Sequence, residues 1–124
     1  MPFQRTWKTK GVCRLSDPFE RLDIPPYTYT IRWVDLDWVR ATGDMGQHDG
    51  TSQTITLWRG MTPVDLAVAF LHECGEAIQW IRCHKHEVTP HEAIEDASVG
   101  YATIFRANPD VARWWVGLLE DKEV

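Results

Sequence analysis

His72, Glu73 and Glu76 carry the clearest chemistry of the chain, in the stretch Leu71-His72-Glu73-Cys74-Gly75-Glu76-Ala77-Ile78. In a His-Glu-x-x-His pattern on a helix, the spacing of four puts two imidazoles on one face, where both reach a single Zn²⁺. The Glu after the first His then stands beside the metal and can take a proton from its bound water. Here the fourth position is Glu76, so the pattern reads His-Glu-x-x-Glu. One imidazole with two carboxylates is a harder, more oxygen-rich set than two imidazoles with one carboxylate. It suits Fe²⁺ or Mn²⁺ about as well as Zn²⁺. The added carboxylate also neutralises more of the dication, which leaves a bound water less acidic.

A catalytic ion needs a third protein ligand and a position open to water. Downstream, Glu92, Glu95 and Asp96 offer carboxylates, while His84, His86 and His91 offer imidazoles. Asp96 stands one turn beyond Glu92, where an acid can orient a ligand from behind. Each group also has a plainer role. The polar face of an amphipathic helix is solvated whether or not it binds anything, and Glu92 is accounted for by helix capping alone. Cys83, His84 and His86, with Cys74, form a second candidate cluster, but their spacing matches no regular structural zinc pattern.

These groups need helices to position them, and the second half of the chain supplies the pattern. Thr62-Pro63-Val64-Asp65 opens a helix with an N-cap Thr, Pro in the first position and an acid in the first turn. The spacing predicts a helix over 63–82 with an apolar stripe of Val64, Ala67, Val68, Leu71, Cys74, Ile78 and Ile81. Asp65, His72, Glu76 and Gln79 fall on the other side, with Glu73 at its edge. Thr89-Pro90-His91-Glu92 is a Thr-x-x-Glu capping box. It opens a helix over 90–106 with Ile94, Ala97, Tyr101, Ile104 and Phe105 on its apolar side. Asn108-Pro109 interrupts, and Asp110 to Glu120 forms a short last helix.

The first half reads as strands. Residues 1–24 show no sustained period, though Phe3, Trp7, Val12 and Leu15 fit one short strand. After Pro25-Pro26, Tyr27, Tyr29, Ile31 and Trp33 alternate with Thr28, Thr30 and Arg32, the signature of a half-buried strand. Val34 to Val39 reads as its continuation or as a short helix. Thr42 to Ser52 is turn chemistry, rich in Gly and Asp. Gln53–Trp58 is a second strand, expected to join Tyr27–Val34 in a small antiparallel sheet. Strands first and helices after favour an α+β fold over a parallel βαβ array.

At 124 residues the chain is read as one domain, 1–124, long enough to bury a core. Its formal net charge of −5 gives no electrostatic reason to expect a nucleic acid or an anionic membrane as partner. No apolar run reaches the ~18 residues of a membrane helix. The three cysteines, Cys13, Cys74 and Cys83, are an odd number at irregular spacing, which argues against a disulfide framework. A cytoplasmic location is the expectation.

From Tyr27 to Trp114 the chain resembles the small zincin-like metallopeptidases encoded by phages and prophages. Thr30-Ile31-Arg32-Trp33 resembles their first strand. Gly46-Gln47-His48-Asp49 with Gln53-Thr54-Ile55-Thr56-Leu57 resembles their middle segment. Phe70 to Ile78 is similar to their motif helix at all positions but one, and Glu92 to Asn108-Pro109 resembles the segment after it. The resemblance implies a metal-dependent hydrolase acting on a peptide or protein, with Zn²⁺ the foremost ion. It implies His72 as metal ligand, Glu73 as general base and Glu92 as third ligand, with Glu76 where the family has its second His. A motif helix and a second, ligand-bearing helix beneath a small sheet make the expected minimal zincin-like fold. The rival expectation is an accessory or binding protein of phage origin that keeps the scaffold without the chemistry. Exposed tryptophans among Trp38, Trp58, Trp80, Trp114 and Trp115 would form its contact surface.

Overall fold

The computed structural model describes residues 17–82 and 88–120. The strand expected from Phe3, Trp7, Val12 and Leu15, and the cluster of Cys83, His84 and His86, lie outside the described residues. The architecture is α+β, a four-stranded sheet with helices packed on it. Two strands come first, β1 (Arg21–Ile24) and β2 (Tyr27–Val34), followed by the short helix α1 (Leu36–Thr42). Then come β3 (Gly46–Asp49), β4 (Thr54–Trp58), and the helices α2 (Pro63–Arg82), α3 (Pro90–Ala107) and α4 (Pro109–Glu120).

The sheet order is β1-β2-β4-β3, and the sheet is mixed where an antiparallel one was expected. β1 and β3 pair antiparallel with their neighbours, but β2 and β4 run parallel, in the register Ile31↔Ile55 and Trp33↔Leu57. The cause is the stretch 35–53. A parallel pair needs a crossover, and here α1 and β3 together form one. β3 then turns back as the antiparallel partner of β4 and becomes the sheet edge. It lies in the segment read as turn chemistry, since Gly46, Gln47, His48 and Asp49 have little strand propensity of their own. Pairing with β4 makes it a strand. β1 was equally unforeseen, although Leu22 and Ile24 alternate with Arg21 and Asp23.

The α2 helix follows its predicted bounds, with Asp65 N donating to Thr62 Oγ1 at 3.3 Å at its start. Its buried face is rotated from the expected stripe. Leu66, Ala67, Phe70, Glu73, Cys74, Ala77 and Ile78 are buried, whereas Val64 and Val68 are exposed. The core is decided by what packs against the helix, namely β3, β4, α3 and α4. Phe70 meets Phe19, Phe105 and Trp114 in a group of ring contacts. The rotation carries Glu73 from the edge into the buried face.

Helix α3 starts with the predicted capping box. It turns Ala93, Ala97, Gly100, Tyr101 and Ile104 inward and leaves Ile94, placed on the expected stripe, exposed at 66%. Asn108 ends α3 and pins the outer strand, accepting from Asp23 N at 2.9 Å and donating to Asp23 O at 2.8 Å.

Candidate metal centre

His72 and Glu76 project from the solvent side of α2, one turn apart, with His72 Nε2 3.1 Å from Glu76 Oε2. Two atoms that each lie ~2.0–2.2 Å from one ion are themselves about 3–3.5 Å apart. The pair therefore already holds a spacing at which both reach one cation. Glu73 completes the group, since one candidate donor atom from each of the three side chains lies within 4.8 Å of the others.

Glu73 differs from its neighbours in burial. It is 6% exposed, whereas the His72 and Glu76 side chains are 66% and 48% exposed. Its Oε1 is buried with no hydrogen-bond partner. Burial pushes its carboxyl up to about 7, helped by the negative charge of Glu76 and opposed by His72. An unpartnered buried carboxyl oxygen close to a second carboxyl group is costly for stability alone, and such groups gather at functional sites.

The strand β3 closes one side of this group. Gly46 lies against Glu73, and a Cβ there would stand 3.0 Å from Glu73 Oε2 and 3.3 Å from its Cγ. Asp44, just before the strand, adds negative charge that Glu73 feels. Two residues along, His48 stacks on Tyr29 and its Nε2 lies 2.9 Å from the Tyr29 hydroxyl. Burial lowers the His48 pKa, while the charges of Glu76 and Asp49 pull it the other way. His48 and Asp44 were missed as members of the site because their segment reads as a loop.

Helix α3 closes the other side, held close by a hydrogen bond that depends on a missing Cβ. The Tyr101 hydroxyl donates to Leu71 O at 2.9 Å. It can do so because residue 75 is Gly, where a Cβ would stand 2.7 Å from that hydroxyl. Tyr101 reads as an apolar-stripe residue, and only its polar end makes it part of the site's frame.

The expected third ligand is elsewhere. Glu92 Oε1 accepts from Thr89 N at 3.0 Å, and Glu92 N donates to Thr89 Oγ1 at 3.1 Å, the closed capping box. It lies outside the group formed by His72, Glu73 and Glu76. The carboxylate accepts from the orphan amide of Thr89 at the start of α3. Glu95 does not join either. It is exposed and lies 3.9 Å from His91. Asp96 alone of the three acids lines a groove with His72 and Glu76, and Arg82 Nε donates to its Oδ1 at 3.3 Å. Cys74 is buried and its thiol pKa is pushed up by that burial, so it is no thiolate ligand at neutral pH.

No family model, curated protein or solved structure matches this chain. Among the described residues no helix is long and apolar enough to cross a membrane.

Proposed function

We propose that the protein is a metal-dependent hydrolase of peptidase type, with His72 and Glu76 as the two ligands that the described residues supply to a divalent cation and Glu73 acting as general base. The observation that carries this reading is Glu73 itself. Its carboxyl is buried, lacks a partner at Oε1 and in the metal-free protein is pushed by burial up to about 7, one residue from an imidazole and three from a second carboxylate. A base needs a pKa near the working pH, so that it is ionised often enough to accept a proton and basic enough to want it.

The donor set fits a cation. His72 and Glu76 are open to solvent and already adjacent, and the charges of Glu73 and Glu76 raise each other's cost until a cation offsets them. A bound Zn²⁺, Mn²⁺ or Fe²⁺ would supply Lewis acidity, polarising a carbonyl and acidifying water. The Glu73 carboxylate would take the proton that water loses on attacking the carbonyl carbon. The same carboxyl would pass it to the amine as the carbon–nitrogen bond breaks. Burial under Gly46 fixes the direction of that carboxyl, and His48 and Tyr101 wall the site from either side.

Cleavage of a peptide library, in the presence of Zn²⁺ and then Mn²⁺, tests the reading on the wild type and on Glu73→Gln. The variant should retain metal and fold and lose turnover by a hundredfold or more, in line with the loss of a general base, ~10²–10⁴. Equal cleavage by both proteins would remove Glu73 from the mechanism.

The accessory reading keeps one specific support. Trp80 is 53% exposed on α2, with Val64 and Val68 exposed on the same helix. The other named tryptophans contribute less surface. Trp114 is buried, Trp38 and Trp58 are half-buried, and half-buried Trp115 donates its indole N–H to Ala67 O at 3.0 Å.

A further inference from the structure

Beside the His72–Glu76 pair, α2 and α3 diverge around a groove of about 330 Å³. That size is at the lower end of ligand pockets, ~300–1,000 Å³, and suits one side chain better than a whole small molecule. Its shape follows from small residues. Ala93 and Ala97 on α3 face Gly75 on α2, so neither wall projects far into the space. Tyr101, tied to Leu71 O, stands at one end, and the Arg82–Asp96 pair at the other.

The lining mixes apolar side chains, among them Ile78, Val88 and Ala97, with polar His72, Gln79 and Tyr101 and with two acids. Glu76 and Asp96 are both present, and no lysine or arginine is among the described lining residues. Arg82 Nε donates to Asp96 Oδ1 at a long 3.3 Å, and a carboxylate has the capacity to accept from a second donor as well. A partly apolar trough ending on a carboxylate complements a long side chain with an aliphatic stem and a cationic head. A neutral apolar side chain would gain nothing from the Asp96 carboxylate, and an acidic one would be repelled.

We infer that this groove receives the lysine or arginine side chain of a peptide substrate, with Asp96 as its counter-charge. The proposal deepens the hydrolase reading and rests on it for the reaction, while binding in the groove can be measured without turnover. A basic residue seated there has its backbone beside His72 and Glu76, which also line the groove. Asp96 would thus set which peptide bond is presented.

The test uses fluorescently labelled peptides that differ at one position: arginine, lysine, norleucine or glutamate. Anisotropy titrations on the Glu73→Gln protein measure binding without turnover. The arginine and lysine peptides should bind about tenfold tighter than the norleucine peptide, as a charge-assisted hydrogen bond provides. The Asp96→Asn substitution, added to that protein, should erase the margin and leave the norleucine affinity unchanged. Ala97→Leu, which fills the groove, should weaken the arginine peptide to the level of the glutamate one. Equal binding across the series, a preference for norleucine or glutamate, or no binding by any peptide would overturn the proposal. So would an Ala97→Leu protein that still prefers arginine. If the arginine peptide is preferred but the wild type never cleaves it, the groove assignment stands and the hydrolase reading falls.

Discussion

Glu73 is the residue on which the proposed chemistry turns, because His72 and Glu76 are solvated and it is not. The neutral acid is favoured by burial, so the folded protein keeps a proton that the unfolded chain, at the ordinary value of 4.5, gives up well before pH 7. Stability of the metal-free protein should therefore fall as pH rises from about 4.5 to about 7, and the full cost should be present above that window. Glu73→Gln removes the titration. On chelator-treated protein it should be more stable than wild type at pH 8 by about 1–3 kcal/mol, and close to it at pH 4. Urea unfolding at the two pH values measures this, and a variant less stable at pH 8 would speak against a buried acid. At the next turn, Glu76→His should tighten Zn²⁺ binding, since imidazole is a favoured zinc ligand and the position is exposed. The same change removes a negative charge that holds the Glu73 pKa up. Competition with a zinc indicator reads the affinity, and an unchanged or weaker value would remove position 76 from the site.

At the scale of elements, the frame of the site depends on α2 and α3 touching at Gly75. Gly→Ala inside a helix ordinarily stabilises by about 0.5–1 kcal/mol. Here the added Cβ would meet the Tyr101 hydroxyl at 2.7 Å, so Gly75→Ala should destabilise by about 1–3 kcal/mol instead. Much of that loss should vanish in the Tyr101→Phe background, a coupling that a double-mutant cycle in thermal unfolding would show. The capping box gives a contrasting case. Thr89→Ala should cost about 1 kcal/mol of stability and leave metal affinity untouched, and Glu92→Gln should likewise leave it untouched. A large loss of metal affinity in Glu92→Gln would restore that residue as a ligand.

These elements were unequally legible. The helices announce themselves through caps and long periods, as Thr62-Pro63 and Thr89-Pro90-His91-Glu92 show. Which face of α2 is buried was less legible, because Val64 and Val68 are as apolar as Leu66 and Phe70, and only the arriving sheet and helices choose between them. The edge strand β3 was hidden among Gly, Gln, His and Asp, whose strand conformation comes from pairing with β4. His72, Glu73 and Glu76 were legible from spacing alone. The burial of Glu73 under Gly46, and the groove lined by Asp96, depend on tertiary packing that no local pattern encodes.

Across the whole molecule, α2 is the central element, with β3 and β4 on one flank and α3 and α4 on the other. Its one open strip carries His72, Gly75, Glu76 and Gln79, so the solvent side of the most enclosed helix is also the candidate site. The scaffold packs against the helix that carries these side chains from both flanks, which favours weak individual ligands acting together on one ion. Metal bound there should also stabilise the fold by mass action, because the unfolded chain does not hold the three groups together. The account stands on that ion. Elemental analysis of the purified chain after dialysis against Zn²⁺, Mn²⁺ or Fe²⁺, beside His72→Ala and Glu92→Gln, tests it most directly. The prediction is about one metal ion per chain in the wild type and in Glu92→Gln, and little in His72→Ala. A wild type that takes up none of the three metals, or a His72→Ala protein that retains its full share, would contradict the account.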